Sequence, residues 1–156
     1  MRETLKQLQH YDLNSLAKGL KLTSIDVIKT SNMDIESHWF RSTGPADLYF
    51  WKAKDKIVKH QVSLFNQVVE WNEYDGVKTG YVNDDLYGDQ AEVVCFDEIV
   101  NPRVVKQAID FLSNVNEVDE KVLKQLIANY KFYNRWQGIR PIRAIKHFFS
   151  HLFKKS

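Results

Sequence analysis

The spacing of apolar residues changes twice along the chain, from a helical period to strict alternation and back again. Near the start, Leu5, Leu8, Leu13, Leu16 and Leu20 lie close to one helical stripe with Gly19 near its end, which predicts a helix over 4–20. Ile25, Val27 and Ile28 fit a short strand and a helical turn equally, so the spacing assigns nothing to residues 22–37.

From about 37 to 96 the period is two, and hairpins register against one another from the alternation alone. Asp75-Gly76 is a two-residue turn signal, because both positions tolerate positive φ. Pairing outward from it sets Asn72 opposite Thr79, Trp71 opposite Gly80, Glu70 opposite Tyr81 and Val69 opposite Val82. A second turn at Asn66-Gln67 sets Leu64 opposite Val69, Val62 opposite Trp71, Ser63 opposite Glu70 and Gln61 opposite Asn72. Upstream, a three-residue loop over Lys54, Asp55 and Lys56 sets Leu48 against Val62 and Phe50 against His60. That register keeps Leu48, Phe50, Val58, Val62 and Leu64 on one side, with His60 across from Glu73. Residues 91–96 (AEVVCF) and 37–42 (SHWFRS) offer further strands.

The helical period then returns. Asn101-Pro102 supplies an N-cap acceptor followed by a proline whose missing amide does no harm, and Val104, Val105, Ala108, Leu112 and Val115 form a stripe over 103–115. Val122, Leu123, Leu126, Tyr130 and Tyr133 face inward from a helix over 120–136, which Gly138 ends. Pro141 opens a last helix over 141–153. The expected fold is α+β in a single domain of residues 1–156: an N-terminal helix, an antiparallel meander of four to six strands over 37–96, then three helices.

The last helix has two separate faces. Ile142, Ile145, Phe148, Phe149, Leu152 and Phe153 fall within one arc, while Arg140, Arg143, His147, Ser150, His151, Lys154 and Lys155 occupy the opposite one, with Lys146 at the boundary. Three readings compete. The first docks the apolar arc on the sheet and leaves the bases in water, well placed against the helix dipole. The second uses the bases as phosphate contacts, with Tyr130, Phe132 and Trp136 as stacking groups. The third lays the helix on an anionic membrane or in a partner's groove. His147 and His151 stand at i, i+4, but the sequence offers no nearby acid as a further ligand, and no metal is expected.

The middle of the chain offers a second surface. Lys59, Gln61, Ser63, Glu70, Asn72, Thr79 and Tyr81 share the polar face of the expected sheet, beside Tyr49 and Trp51. Donors, acceptors and one carboxylate on a rigid scaffold suit a small ligand, and they equally describe a half-solvated sheet. Glu70 has no acid or nucleophile partner in the sequence, and His60 on the apolar face reads as structural. The acidic stretch from Asn83 to Glu92 lacks the spacing of an EF-hand and reads as a solvated loop or an internal counter-charge.

Charge distribution sharpens the choice. Residues 1–36 balance five bases with five acids, 37–100 carry six against eleven, and 101–156 carry eleven against four. After Glu120 there are nine Lys/Arg and no acid. A chain so divided pairs its own halves or presents a basic face to an anionic partner. The single cysteine, Cys95, excludes an intramolecular disulfide and a cysteine-rich zinc cluster. The charged, amphipathic start and the lack of a long apolar run predict a cytoplasmic protein. There is no Walker loop, GxGxxG, HExxH or GxSxG, and no cofactor is expected. The expectation is therefore a non-enzymatic binding or regulatory protein that engages an anionic protein or nucleic acid through Arg135, Trp136, Arg140, Arg143, His147, Lys154 and Lys155. Membrane-surface contact ranks behind these partners. The alternative is a small-ligand domain or enzyme that uses the polar sheet face.

Overall fold

A computed structural model of the chain describes residues 12–83 and 93–135. Among them, a short helix α1 (Leu13–Lys18) precedes seven strands, and two helices follow. The strands are β1 (Lys21–Lys29), β2 (Asp34–Arg41), β3 (Ala46–Ala53), β4 (Lys56–Leu64), β5 (Gln67–Asn72), β6 (Gly76–Asn83) and β7 (Val93–Phe96). The helices are α2 (Pro102–Leu112) and α3 (Glu120–Arg135). Each strand pairs antiparallel with the next, so the sheet order is the chain order. The expected α+β meander is present, with seven strands rather than four to six.

The sheet begins earlier than alternation suggested. Residues 22–37, which the spacing left unassigned, contribute to the β1–β2 hairpin. A bulge between Leu22 and Ser24 breaks the alternation there, and almost all of β1 is exposed, so its sequence is not marked by burial. The first helix is also shorter than expected. Asp12 is extended (φ −80°, ψ 134°) and caps α1 by accepting from the Asn14 amide, so the helix starts at Leu13; residues 4–11 lie outside the described residues.

Turn chemistry decides the remaining differences. Leu48 faces Val62 and Phe50 faces His60 as expected. The connection, however, is a turn at Lys54-Asp55 with Lys54 at φ 57°, and a bulge near Lys52 takes up the odd residue. That bulge buries Ile57 in place of Val58. The next turn lies at Phe65-Asn66, both at positive φ (50° and 65°), one residue before the expected position. Each pair therefore moves by two positions, which preserves the faces: Gln61 meets Glu70 and Val62 meets Val69. Phe65 packs against the core, which offsets the cost of its left-handed backbone.

The β5–β6 turn moves by an odd amount and does flip a strand. Asn72 Oδ1 accepts from the Tyr74 and Asp75 amides at 3.0 and 2.8 Å, so the chain turns over Glu73–Asp75 and Gly76 takes φ 72°. Val69 then faces Thr79 and Trp71 faces Val77. Thr79 and Tyr81 move to the face opposite Glu70.

The main core lies on one face, while Val68 is buried on the other. Phe40, Leu48, Phe50, Ile57, Val62, Val69 and Val77 meet Val105, Ala108, Phe111, Leu112, Leu126 and Tyr130 of the helices, with Leu16 and Leu20 closing one end. Asn101 caps α2 through the Arg103 amide, and the Asp119 carboxylate accepts from the Lys121 and Val122 amides to start α3. Helix α2 ends at Leu112 rather than 115, and α3 matches its expected span to within a residue. The expected helix over 141–153 lies outside the described residues.

Candidate functional site

Two surfaces compete for a role. The first is the sheet face on which no described helix packs. Lys59, Gln61, Ser63, Glu70 and Asn72 share it, as alternation predicts, because Lys59 pairs with Asn72, Gln61 with Glu70 and Asp47 with Ser63. Thr79 and Tyr81 do not join them. Thr79 is buried on the other face, where its hydroxyl donates to Asp97 Oδ2 at 2.6 Å and accepts from the Asn101 amide at 2.9 Å. Tyr81 is half-exposed on that same opposite face.

Glu70 is only 7% exposed despite its outward position. Lys59 Nζ lies 3.3 Å from one of its oxygens and Asn72 Nδ2 is 3.4 Å from the other. The carboxylate is therefore engaged on both sides by its own sheet.

Beside this cluster runs an aromatic ladder across two strands, β2 and β3. Trp39 stacks on Tyr49 at 5.5 Å and Tyr49 on Trp51 at 6.1 Å, with the rings within 15° of parallel. Cations close both ends: Arg41 lies 5.8 Å from the Trp39 ring and Lys59 lies 5.1 Å from the Trp51 ring. Asp47 accepts from Trp39 Nε1 at 3.0 Å and pairs with Arg41 at 3.6 Å. Because cross-strand neighbours stand about 5 Å apart, the rings rise on edge and use their faces on one another. The ladder is a rib that stiffens β2–β4, and it does not present an open ring face to a planar ligand. Tyr49 and Trp51 were visible in the sequence; Trp39 and Arg41 were not, because placing them needs the β2–β3 register.

His60 belongs to neither surface. It is fully buried beneath α3, stacked on Trp71 at 5.4 Å and tilted against Tyr130 at 4.5 Å, with Nε2 3.3 Å from Asn129 Nδ2. Burial lowers its pKa to about 3, so the imidazole is neutral at physiological pH. Its strand partner is Trp71 rather than the expected Glu73, which instead pairs with Lys56 at 2.6 Å. Lys78 pairs with Asp75.

The second surface is the outer side of α3. Lys121, Lys124 and Lys131 are exposed. At 100° per residue they share an arc of about 80°, opposite Leu123, Leu126 and Tyr130, which are buried. Glu120 is the one acid in this helix, and its hydrogen bond to Lys124 (2.6 Å) raises the ammonium pKa. Arg135 is the last residue of this helix. These lysines were counted in the sequence as part of an acid-free run but not placed on a face; a wheel drawn on 120–135 alone would have found them.

The remaining candidate residues, Trp136, Arg140, Arg143, His147, Lys154 and Lys155, lie outside the described residues, as does the acidic stretch from Asp84 to Glu92. No described helix is long and apolar enough to cross a membrane. Compared with family models, curated proteins and solved structures, the chain gives no significant match to any of them.

Proposed function

We propose that this protein is a non-enzymatic binding module that engages an anionic partner, a nucleic acid or an acidic protein surface, through the cationic arc of α3 and the acid-free sequence that continues it. The observation that carries the reading is the alignment of exposed Lys121, Lys124 and Lys131 on one side of a helix whose other side is fixed in the core. The arc runs for about 15 Å from Lys121 to Lys131, at 1.5 Å per residue. Only Glu120 offsets it, and no acid follows in the chain.

The rival surface is less suited to a ligand. On the sheet face Glu70 is held by Lys59 and Asn72, and the ring faces of the ladder are occupied. A ligand would first have to displace those contacts, whereas the lysines of α3 stand in water, where Lys124 has a surface ion pair with Glu120 to exchange.

The test is a titration of the full chain against labelled single-stranded RNA, single-stranded DNA, duplex DNA and a poly-glutamate peptide, at low and high salt. A Lys121→Ala/Lys124→Ala/Lys131→Ala variant is run in parallel. The reading expects binding that weakens steeply with salt and a variant with both lower affinity and a shallower salt slope. Selective binding to the peptide identifies an acidic protein as the partner class; selective binding to an oligonucleotide identifies nucleic acid. Absence of binding at low salt, or equal affinity in the variant, removes the reading.

A further inference from the structure

We infer that the partner of the cationic arc is a single-stranded nucleic acid, and that Phe132 is the platform on which one of its bases stacks between the lysines. The inference rests on the anionic-partner reading and goes beyond it by choosing among anions. The sequence offers Tyr130, Phe132 and Trp136 as stacking groups, and the structure separates the first two. Tyr130 is fully buried, with its ring against His60 and its hydroxyl on the Val69 carbonyl. Phe132, two residues on, is 63% exposed.

An exposed aromatic residue by itself is ordinary on a protein surface. The position of this one gives it meaning. At 100° per residue Phe132 stands about 20° from Lys121, and Lys124 and Lys131 extend the arc by about 80° on the other side of Lys121. Side chains on a helix lean toward its N-terminus, so the ring is carried back to the level of Ala128, one turn earlier. Ala128 is itself exposed and adds only a methyl group to that turn. The same level falls between Lys124 and Lys131, which are about 10 Å apart along the helix axis. A lysine stem is long and flexible, so the two ammonium groups can swing toward the phosphates on either side of a nucleotide stacked on the ring.

Three kinds of anion can be compared on this surface. A duplex keeps its bases paired inside and offers the helix phosphates alone, which uses the lysines and leaves Phe132 in water. An acidic peptide answers the lysines with carboxylates and has no need of a ring beside them. A single strand brings a phosphate chain together with unpaired bases, and any base can stack because each has a π-face. It is the anion that uses all four side chains. The aromatic ladder of Trp39, Tyr49 and Trp51 is no rival platform, since its rings are spent on one another and it stands on the opposite face of the sheet from α3.

The test is fluorescence anisotropy of the full chain with a labelled oligodeoxythymidine and with an abasic strand of equal length and charge, so that only the bases differ. The parent is expected to bind the base-bearing strand at least about fivefold more tightly, and Phe132→Ala to lose that preference. Stacking releases no counterions, so Phe132→Ala should keep the salt slope of the parent, which Lys121→Ala/Lys124→Ala/Lys131→Ala makes shallower. Phe132→Tyr keeps a ring and should restore the preference. Near-ultraviolet circular dichroism checks that each variant is folded. Equal affinity of the parent for the two strands overturns the inference, and so does a preference that survives in Phe132→Ala. In either case weakened binding by the lysine variant leaves the anionic-partner reading standing. Tighter binding of duplex DNA or of a poly-glutamate peptide than of the single strand also overturns the inference alone. Absence of binding to all of these probes at low salt removes both.

Discussion

Tyr130 on α3 donates its phenolic hydrogen to the carbonyl oxygen of Val69 on β5 at 2.8 Å, across 61 positions of the chain. The ring is fully buried, so a polar contact fixes the height of the helix over the middle of the sheet. Burial also raises the phenol well above its usual pKa, which keeps the donor protonated wherever the fold persists. Tyr130→Phe should cost about 1–2 kcal/mol, because it removes the donor while keeping the ring. Tyr130→Ala should cost about 3–5 kcal/mol through the cavity it leaves under α3. Urea unfolding measures both, and a Phe variant as stable as the parent would show that the hydrogen bond contributes nothing.

The buried His60 sets a pH dependence with a definite sign. Its folded pKa of about 3 lies below the ordinary 6.5, so between these values the unfolded chain binds a proton that the folded chain does not. The contribution is fully present above pH 6.5 and is lost as pH falls, by about 1.4 kcal/mol per pH unit through that window. His60→Leu removes the titrating group from between Trp71, Tyr130 and Asn129. The difference in unfolding free energy between parent and variant should therefore tilt against the parent as the solution is acidified below pH 6.5. A pH-independent difference would mean that the imidazole is solvated in the native state.

Comparison of expected and observed registers shows which physical signals a sequence carries. The faces of β3, β4 and most of β5 were legible because side-chain alternation survives a turn displaced by one residue. The face of β6 was not, because Asn72 caps the loop with its own side chain and overrides the Asp75-Gly76 signal. Strand 37–42 anticipated most of β2, but β1 was missed for another reason: it buries almost nothing among the described residues, and burial is what writes a period into a sequence. Of the candidate surfaces, the cluster of Lys59, Gln61, Glu70 and Asn72 followed from local pairing. The placement of Trp39 and Thr79 depended on strands and turns whose geometry the sequence left open.

Thr79 offers a test of that hidden register. Its hydroxyl joins β6 to Asp97 and to the backbone amide that begins α2, while its own carbonyl accepts from the Asp97 amide at 2.8 Å. Thr79→Val keeps the shape but leaves the Asn101 amide and the Asp97 carboxylate without this partner. A loss of about 2–3 kcal/mol follows from the buried, charge-assisted bond. Thr79→Ser should recover most of it. Were Thr79 on the solvated face beside Glu70, valine would be nearly neutral, so urea unfolding of the two variants distinguishes the registers.

Gly80 marks a close approach between β6 and β7. It lies between Val68 and Phe96, and a Cβ built on it would come 2.4 Å from the Cys95 carbonyl oxygen and 2.9 Å from the Phe96 Cα. Both obstacles are backbone, so neither can rotate away, and β7 must move if the side chain grows. Because β7 is a four-residue strand at the edge of the sheet, it can separate without unfolding the core behind it. Gly80→Ala should therefore cost about 1–3 kcal/mol and speed amide exchange in Val93–Phe96 while leaving β3–β5 protected. Gly19→Ala is the natural control, since its Cβ would come no closer than 3.2 Å to a neighbouring atom, the Ser15 carbonyl oxygen. If Gly80→Ala is as mild as Gly19→Ala and β7 stays protected, the close pairing of β6 with β7 is wrong.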